Sequence, residues 1–505
     1  MWYTSTVLGT RGNKELYDVA IIGGGVVGCC IARELSRYLV KTVLVEREAE
    51  VGFGVTKSNS GIIHAGHHTD STTLKGRLVG RGNELFDQLH QDLGFGFKRI
   101  GELVVAGDEG DMPVLEKLKA QGEAKGVPGL EIWNHETLRR EEPNLSKHLI
   151  AALHAPSAGV VNPYEFAFAL IECAQKNGVH LIVNAPVTSI DVKRAHMILQ
   201  TPRQAVAARY VLNCTGLFAD KVAELVGART FRILPRKGEE YLLDSSQQWL
   251  VKHLIFPVPS KTTKGTLIIP TVDGTIMVGP TAHDTNDRFD LTTTVGGANE
   301  VFGFVRQLCP GIDPRALIAE FAGLRPVSNT NDFIIGPTAV RGFINVAGIQ
   351  SPGLTASPAI AEYVLELLGA EGLPIVEKDE FIPYIDPLPH FVRRTTAERR
   401  ELTARDPRFG HIVCRCESVT EAEIHRAVDH GAQTIDGVKF RTRAGMGRCQ
   451  GGFCTTGVMK VLSERLGVPL HNITKRGGNS WLVFPMEDID KETSESEEGE
   501  PCSDA

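Results

Sequence analysis

The chain has 505 residues, 42% of them apolar and 23% charged, which is the composition of a globular protein large enough for about three domains. No run of about 18 apolar residues occurs, so we predict no transmembrane helix. The sequence also lacks a basic, aromatic-interleaved patch, so nucleic acid is not an expected partner. The last twenty residues hold nine acidic residues against one lysine. We therefore expect a nearly neutral body followed by a disordered acidic tail.

The first recognisable element is an apolar β-type run at 17–22, followed at once by a glycine turn and by helical spacing. The turn contains Gly23, Gly25 and Gly28. Such glycines let backbone N–H groups approach a pyrophosphate, and the N-terminus of the following helix favours the anion. A second strand ends on Glu46, where an acid can bind a ribose hydroxyl. The pattern predicts a Rossmann-like dinucleotide-binding unit.

The residues after Glu46 favour FAD over NAD. The small, polar stretch 52–61 is suited to wrap a second nucleotide moiety. Further along, 344–347 is typical of a strand that enters a glycine turn, and a helix is predicted from Ala356 onward.

Six segments, in this order and spacing, resemble the FAD-dependent glycerol 3-phosphate oxidase and dehydrogenase branch of the D-amino-acid-oxidase-like superfamily. They are 58–66, 213–220, 236–241, 256–259, 323–326 and 348–353. The resemblance spans residues 17 to about 370. It implies a fold of mixed α/β and α+β class, in which a Rossmann-like FAD-binding domain is interleaved with an antiparallel-sheet substrate domain.

The resemblance also implies roles for individual residues. The expected FAD contacts, besides the glycine turn and Glu46, are Ser58, Asn59, Ser60, Thr215, Gly216, Gly348, Gln350, Gly353 and Leu354. The expected substrate contacts are His64, Lys264, Arg325 and Ser351. Lys264 and Arg325 would supply the cationic donors that a phosphate or a carboxylate needs.

His64 is the leading candidate for the base that takes the proton of a substrate hydroxyl while a hydride moves to flavin N5. Without the resemblance, a histidine in the apolar run 61–66 would more often be a core residue. His67 and His68 are predicted to be solvent-facing loop residues.

The substrate class stays open at this point. Oxidation of sn-glycerol 3-phosphate to dihydroxyacetone phosphate is favoured, because 256–259 followed by Lys264 is closer to the glycerol phosphate branch. L-2-hydroxyglutarate, or another 2-hydroxy or amino acid, is an alternative small anionic substrate on the same scaffold. A third reading is an electron-transfer subunit of a larger complex.

Near the C-terminus, Cys414 and Cys416 form a C-x-C pair, and Cys449 and Cys454 follow. Four thiolates suit an iron–sulfur cluster or zinc. Zinc ligands more usually come as C-x2-4-C knuckles, so the C-x-C pair favours an iron–sulfur cluster. A zinc site and a domain that binds nothing are the alternatives. A helix is predicted over 420–429, capped by Ser418 or Thr420.

This region resembles the small helical [2Fe-2S] domain of bacterioferritin-associated ferredoxin type. A cluster would let electrons leave one at a time, which favours a dehydrogenase that feeds a protein acceptor or partner subunit over an oxidase. The predicted domain boundaries are a 1–16 extension, a 17–375 oxidoreductase, a 376–410 linker, a 411–470 [2Fe-2S] domain and a 471–505 C-terminal segment.

The remaining cysteines are expected to be buried and without structural disulfides; they are Cys29, Cys30, Cys173, Cys214, Cys309 and Cys502. Reduced thiols favour a cytoplasmic location, with membrane contact only through a partner.

Overall fold

The computed structural model describes residues 15–259 and 265–485. Three expectations concern residues outside these ranges: most of the N-terminal extension, Lys264 and the acidic tail. The strands of the described residues are β1 Leu16–Ile22, β2 Thr42–Val45, β3 Ile62–Ile63, β4 Phe97–Arg99, β5 Glu102–Ala106, β6 Glu131–Asn134, β7 Ala151–Ala155, β8 Gly159–Val161, β9 His180–Ile182, β10 Ser189–Val192, β11 Met197–Gln200, β12 Ala205–Asn213, β13 Ile233–Leu243, β14 Leu254–Pro257, β15 Leu267–Pro270, β16 Ile276–Gly279, β17 His283–Asp284, β18 Leu317–Ser328, β19 Ile334–Pro337, β20 Phe343–Ala347, β21 Ile412–Cys414 and β22 Val419–Thr420.

The α-helices of the same ranges are α1 Val26–Leu35, α2 Leu74–Leu93, α3 Met112–Ala124, α4 His135–Glu141, α5 Pro163–Lys176, α6 Ala219–Leu225, α7 Val295–Leu308, α8 Gly353–Ala370, α9 Thr396–Arg405, α10 Glu421–Asp429, α11 Ile435–Thr442 and α12 Thr455–Leu466. The helix predicted from Ala356 begins three residues earlier, at Gly353. No helix of the described residues is both long and apolar enough to cross a bilayer.

The first sheet has eight strands, in the order β10-β11-β12-β1-β2-β9, with β20 pairing to β12 and β19 to β20. Strand β1 runs parallel to both β2 and β12. Its side chains alternate between two cores: Val19 and Ile21 pack with α1, α5 and α8, whereas Ala20 and Ile22 pack with α6. Burial on both faces explains the apolar run 19–22 of this strand. The predicted Rossmann-like unit is confirmed.

The second sheet has nine strands, in the order β17-β13-β16-β15-β14-β5-β7-β6, with β18 pairing to β13. Among the described strands its pairs are antiparallel except β14 with β5. The two longest strands, β13 and β18, place Arg236 opposite Arg325. Since β1 and β2 precede this sheet in the chain and β20 and α8 follow it, the antiparallel sheet is interleaved with the FAD-binding fold as expected.

After α8, residues 376–382 run along the FAD-binding domain before the chain forms the C-terminal unit. The Leu39 N–H donates to the Val376 carbonyl (2.8 Å), and the Lys378 N–H donates to the Arg37 carbonyl (2.9 Å). The Ile382 N–H donates to Asn177 Oδ1 (2.9 Å). The segment predicted as a linker is therefore attached to the body along its first part, and its second part contains α9.

Helices α10, α11 and α12 form a small unit with its own core, which includes Ile424, Val438 and Leu462. Of the two predicted caps, Thr420 caps α10. Its side chain accepts a hydrogen bond from the Glu423 N–H, and the Glu423 carboxylate accepts one from the Thr420 N–H, which completes a capping box. The expected small helical C-terminal domain is thus confirmed. Cys29, Cys30, Cys173, Cys214 and Cys309 are free and buried, and Cys502 lies outside the described residues.

Candidate functional site

The glycine turn after β1 is closed by backbone contacts that only glycine permits. A Cβ on Gly28 would lie 2.0 Å from the Gly23 carbonyl oxygen. Gly23 itself has φ +105°, and a Cβ there would lie 2.6 Å from the carbonyl oxygen of Cys214. This last contact brings the end of β12 against the turn. The glycine turn and the predicted FAD-binding segment 213–220 therefore meet at one edge of the sheet, where the carboxyl ends of parallel strands commonly form a nucleotide site.

Glu46 lies directly beside the glycine turn. Its Oε2 accepts a hydrogen bond from the Gly24 N–H (2.6 Å), and its Oε1 accepts from the Glu48 N–H (2.9 Å). Burial raises the pKa of Glu46, although both backbone hydrogen bonds oppose the shift. The side chain is thus fixed at the end of β2, close to the start of α1, as a ribose-binding acid requires.

At the end of β12, Thr215 donates to Asn213 Oδ1 (2.7 Å), and Asn213 in turn donates to Asn345 on β20 (2.9 Å). Gly216 has φ +53°, and a Cβ there would meet no atom within 4 Å. This open side of the turn, together with the turn after β1, leaves backbone groups accessible to a ligand. The residues present therefore fit an extended dinucleotide such as FAD.

The remaining predicted FAD contacts lie in two loops. Ser58 donates to the Val55 carbonyl, and Asn59 accepts from the Gly61 N–H. In the loop before α8, Gln350 donates to Asn331, Gly348 has φ +67°, and Leu354 is buried. Helix α8 begins at Gly353 without a side-chain cap, and the Gly353 N–H donates to the Gln350 carbonyl (2.7 Å). The positive end of a helix dipole at this point favours an anionic ligand.

His64 and Ser351 come together between these loops. Ser351 Oγ lies 3.3 Å from His64 Nε2, and the backbone N–H of His64 donates to Thr355 Oγ1 (3.0 Å). The ring of Phe256 on β14 is 6.0 Å from the His64 ring. The histidine is 6% exposed. It is therefore held between α8 and the antiparallel sheet, with Nε2 directed to Ser351.

The prediction that His67 faces solvent is wrong. His67 is fully buried, and its Nδ1 lies 3.2 Å from Oε1 of Glu102, a buried carboxylate at the start of β5. The other Glu102 oxygen is 3.9 Å from His64 Nδ1. His67, His68 and Glu102 have ligand atoms within 4.8 Å of one another, a set that can hold a metal ion. Glu102 was missed, although an acid in the otherwise apolar run 102–106 is a signal of a buried partner.

Arg325 on β18 is half-buried and shares its surroundings with Glu240 on β13. Both Nη atoms of Arg325 contact the Thr281 carbonyl, at 3.3 and 3.4 Å. Ser60 donates a short hydrogen bond to Glu240 Oε1. Burial raises the pKa of Glu240 to about 7, whereas Ser60 and Arg325 oppose the shift. Burial likewise lowers the pKa of Arg325, and Glu240 opposes it.

Glu240 was not selected from the sequence. The acidic pair at 239–240 inside a β-type run was the available signal, because strand alternation turns one of two adjacent acids inward. The structure thus brings Ser60 to the sheet that carries Arg325, and His64 to Ser351. Lys264 lies outside the described residues.

The four cysteines of the C-terminal unit converge. Cys416 Sγ lies 3.8 Å from Cys414 Sγ and 3.8 Å from Cys449 Sγ. Two thiolate sulfurs bound to the same tetrahedral metal ion, each about 2.3 Å from it, are separated by about this Sγ–Sγ distance. Cys454, just before α12, interacts with Cys414, which lowers the Cys454 pKa. The donor set therefore fits a metal centre held by thiolates.

Backbone groups support this centre. Hydrogen bonds from the Phe453 and Gly451 N–H groups oppose burial and lower the pKa of Cys449. A Cβ on Gly447 would lie 2.6 Å from Cys416 Sγ, so the loop can pass the sulfur only with glycine there. N–H groups directed at sulfurs stabilise their negative charge, as iron–sulfur sites require.

A dinucleotide site beside the His64–Ser351 pair, together with a thiolate centre, is typical of a redox enzyme with two centres. The chain belongs to the FAD dependent oxidoreductase family, whose model matches residues 18–367. The model of the BFD-like [2Fe-2S] binding domain matches residues 412–464. The protein is therefore an FAD-dependent oxidoreductase with a C-terminal [2Fe-2S]-binding domain, as expected from both resemblances.

Three relatives illustrate the range of the family. The chain is 44% identical to a glycerol 3-phosphate dehydrogenase of Caloramator mitchellensis, over 93% of this chain and 98% of that protein. The structure of L-alpha-glycerophosphate oxidase from Mycoplasma pneumoniae with FAD bound matches with a TM-score of 0.70 and 29% identity, over 74% of this chain and 98% of that one. The chain is also 31% identical to mitochondrial L-2-hydroxyglutarate dehydrogenase of Bos taurus, over 54% of this chain and 62% of that protein.

Proposed function

We propose that the protein oxidises sn-glycerol 3-phosphate to dihydroxyacetone phosphate and passes the electrons on through its [2Fe-2S] domain. The observation that carries this proposal is the 44% identity to a glycerol 3-phosphate dehydrogenase over 98% of that relative's length, a match that includes both domains. The cationic Arg325 and the His64–Ser351 pair support it, since the substrate offers an anion and a secondary hydroxyl.

In this proposal His64 takes the proton of the C2 hydroxyl through Nε2, the atom that faces Ser351. Ser351 orients the hydroxyl by a hydrogen bond, and Phe256 restricts water on the other side of the ring. Arg325 and Lys264 bind the phosphate. The glycine turn, Glu46, Thr215, Gly216 and the loop before α8 would hold FAD, which would supply a hydride acceptor at flavin N5.

Cys414, Cys416, Cys449 and Cys454 hold the cluster, which transfers one electron at a time when bound. This supports a dehydrogenase that delivers electrons to a protein acceptor or partner subunit. We place the enzyme in the cytoplasm, with contact to a membrane only through that partner.

The test is an anaerobic stopped-flow experiment in which purified protein is mixed with sn-glycerol 3-phosphate or with L-2-hydroxyglutarate and flavin bleaching is followed. Rapid bleaching by the phosphate alone is expected. Bleaching by the hydroxy acid alone would refute the phosphate as substrate while keeping the chemistry. Silence with both would favour an amino-acid substrate or an electron-transfer subunit. An Arg325→Gln variant should need a much higher concentration of sn-glycerol 3-phosphate for the same bleaching rate.

A further inference from the structure

Residues 443–454 contain the ligands Cys449 and Cys454, and we call this segment the cluster loop. Its contact with the flavin body, which consists of the FAD-binding domain and the antiparallel sheet, depends on one arginine. Arg443 ends α11 with φ +73°, a left-handed conformation at the position where helices usually place glycine. An arginine tolerates this backbone only at a cost in free energy. The position therefore indicates that its side chain is needed.

That side chain is 9% exposed and joins two carboxylates that belong to different parts of the protein. Arg443 Nε lies 2.7 Å from Glu417 Oε2, and Glu417 directly follows the cluster ligand Cys416. Arg443 Nη1 lies 2.7 Å from Oδ2 of Asp273, in the turn between β15 and β16 of the flavin body. The two nitrogens lie on different edges of the guanidinium group, which a lysine cannot reproduce.

Asp273 is itself buried and also pairs with Arg393 from the segment that precedes α9. Burial opposes ionisation of Asp273, but Arg443 and Arg393 hold its pKa below the ordinary value. Glu165, which contacts Arg393 and His390, lies next to this group. Arg443 and Arg393 are therefore each paired with carboxylates in a largely buried interface, where breaking one pair is costly.

The same interface brings the flavin body close to the thiolates. The Tyr164 hydroxyl contacts Met446 Sδ (3.6 Å), and Met446 lies three residues before Cys449. Tyr164 packs edge-on against Phe440 of α11, which packs against Phe53 in the stretch that follows Glu46. A shift of the loop at Arg443 would open this contact between the two redox regions.

We propose that Arg443 is a positioning residue for electron transfer: by joining Asp273 to Glu417 it fixes the cluster loop against the flavin body. The inference rests on the proposed electron route. Oxidation of one substrate molecule releases two electrons and two protons, and the cluster takes one electron per transfer. Two transfers at this contact, each followed by delivery to the acceptor, therefore complete one turnover.

The experiment uses Arg443→Gly in the full-length holoenzyme, because glycine suits the left-handed backbone and removes only the side chain. The matched control is Arg448→Gln, which breaks a more exposed pair with Asp244 (3.0 Å) at the same interface. Substrate is added anaerobically, flavin bleaching is followed by stopped flow, and cluster reduction is followed by freeze-quench electron paramagnetic resonance. Hydrogen exchange of residues 443–454 reports the docking independently of turnover.

For R443G we expect flavin bleaching at the parental rate, unchanged cluster content, and cluster reduction slower by about tenfold, equivalent to about 1.4 kcal/mol of lost docking free energy. Exchange in 443–454 should rise, and R448Q should behave as the parent. Parental cluster reduction and exchange in R443G would overturn the proposal. If R443G loses its cluster, the test passes to Asp273→Asn, which leaves Arg443 and Glu417 together. Slow electron transfer with a full cluster in this variant supports the proposal. Cluster loss or transfer at the parental rate overturns it.

Failure of the proposed electron route looks different. In that case the parent protein itself would show flavin bleaching without cluster reduction, while the exchange measurement would still test the docking role of Arg443.

Discussion

Glu240 offers a quantitative test of the described active-site electrostatics. The unfolded chain ionises this carboxyl near 4.5, whereas the folded protein does so only at about 7, because the group is buried. The free energy of unfolding therefore falls as the pH rises between these two values and stays low above them. Because one unit of pKa difference between the folded and unfolded states corresponds to about 1.36 kcal/mol, the full loss of unfolding free energy is about 3 kcal/mol.

The perturbation is Glu240→Gln, which keeps the size of the side chain and an oxygen that can accept from Ser60 but removes the titration. Relative to the parent, the variant should gain about 2–3 kcal/mol of stability between pH 5 and pH 8, since part of the parental loss has already occurred at pH 5. Urea unfolding followed by tryptophan fluorescence reports on the right domain, because Trp133 lies on β6 of the same sheet.

The control is Glu320→Gln on β18, an exposed carboxylate opposite Tyr241. Its stability difference from the parent is measured at the same pH values and serves as the baseline. A pH-independent difference for Glu240→Gln relative to this baseline would refute the reasoning. Because protonated Glu240 leaves the charge of Arg325 uncompensated, anionic substrate should also bind more tightly below pH 7 than above it, and E240Q should lose this dependence.

Three further predictions follow from the site and the interface. His64→Asn should slow flavin bleaching by substrate about 10²- to 10⁴-fold while FAD content stays normal, since a general base is lost; bleaching at the parental rate would remove His64 from the mechanism. Cys454→Ser should abolish the iron and sulfide content but leave bleaching by substrate intact, and simultaneous loss of bleaching would show that the two centres are not independent. Arg441→Met leaves Glu50, its 2.8 Å partner, buried without its cation. The variant should lose about 3–5 kcal/mol of unfolding free energy in urea, and the double variant with Glu50→Gln should recover most of this loss. An equal loss in both variants would contradict the prediction.

The local patterns of the sequence were enough for the parts of the fold that depend on neighbouring residues. The run before Gly23, the acid at the end of β2, the capping of α10 and the C-x-C pair each carry their signal within a few residues. The two resemblances then supplied the interleaved sheet and the [2Fe-2S] unit.

What the sequence did not indicate depends on contacts between distant segments. His67, in the turn after β3, is buried with its partner Glu102 of β5, whose carboxylate lies 3.2 Å from the ring. Glu240 has a raised pKa because the fold buries it, and Ser60 and Arg325, which oppose the shift, reach it from segments that are distant in the chain. Asp273 is an unremarkable turn residue in the sequence, and it becomes part of an interface only when Arg393 and Arg443 reach it. Periodicity and motif spacing do not encode such pairings.

The segment that leads to the C-terminal unit is attached to the body through Leu39, Arg37 and Asn177 before it reaches α9. A carrier domain that swings between donor and acceptor needs a free tether, and this one is fastened along its first part. On the proposed electron route, the [2Fe-2S] unit therefore passes electrons on from a fixed position. The acceptor would then have to diffuse to the enzyme, and solvent viscosity should affect its arrival rather than the internal transfer.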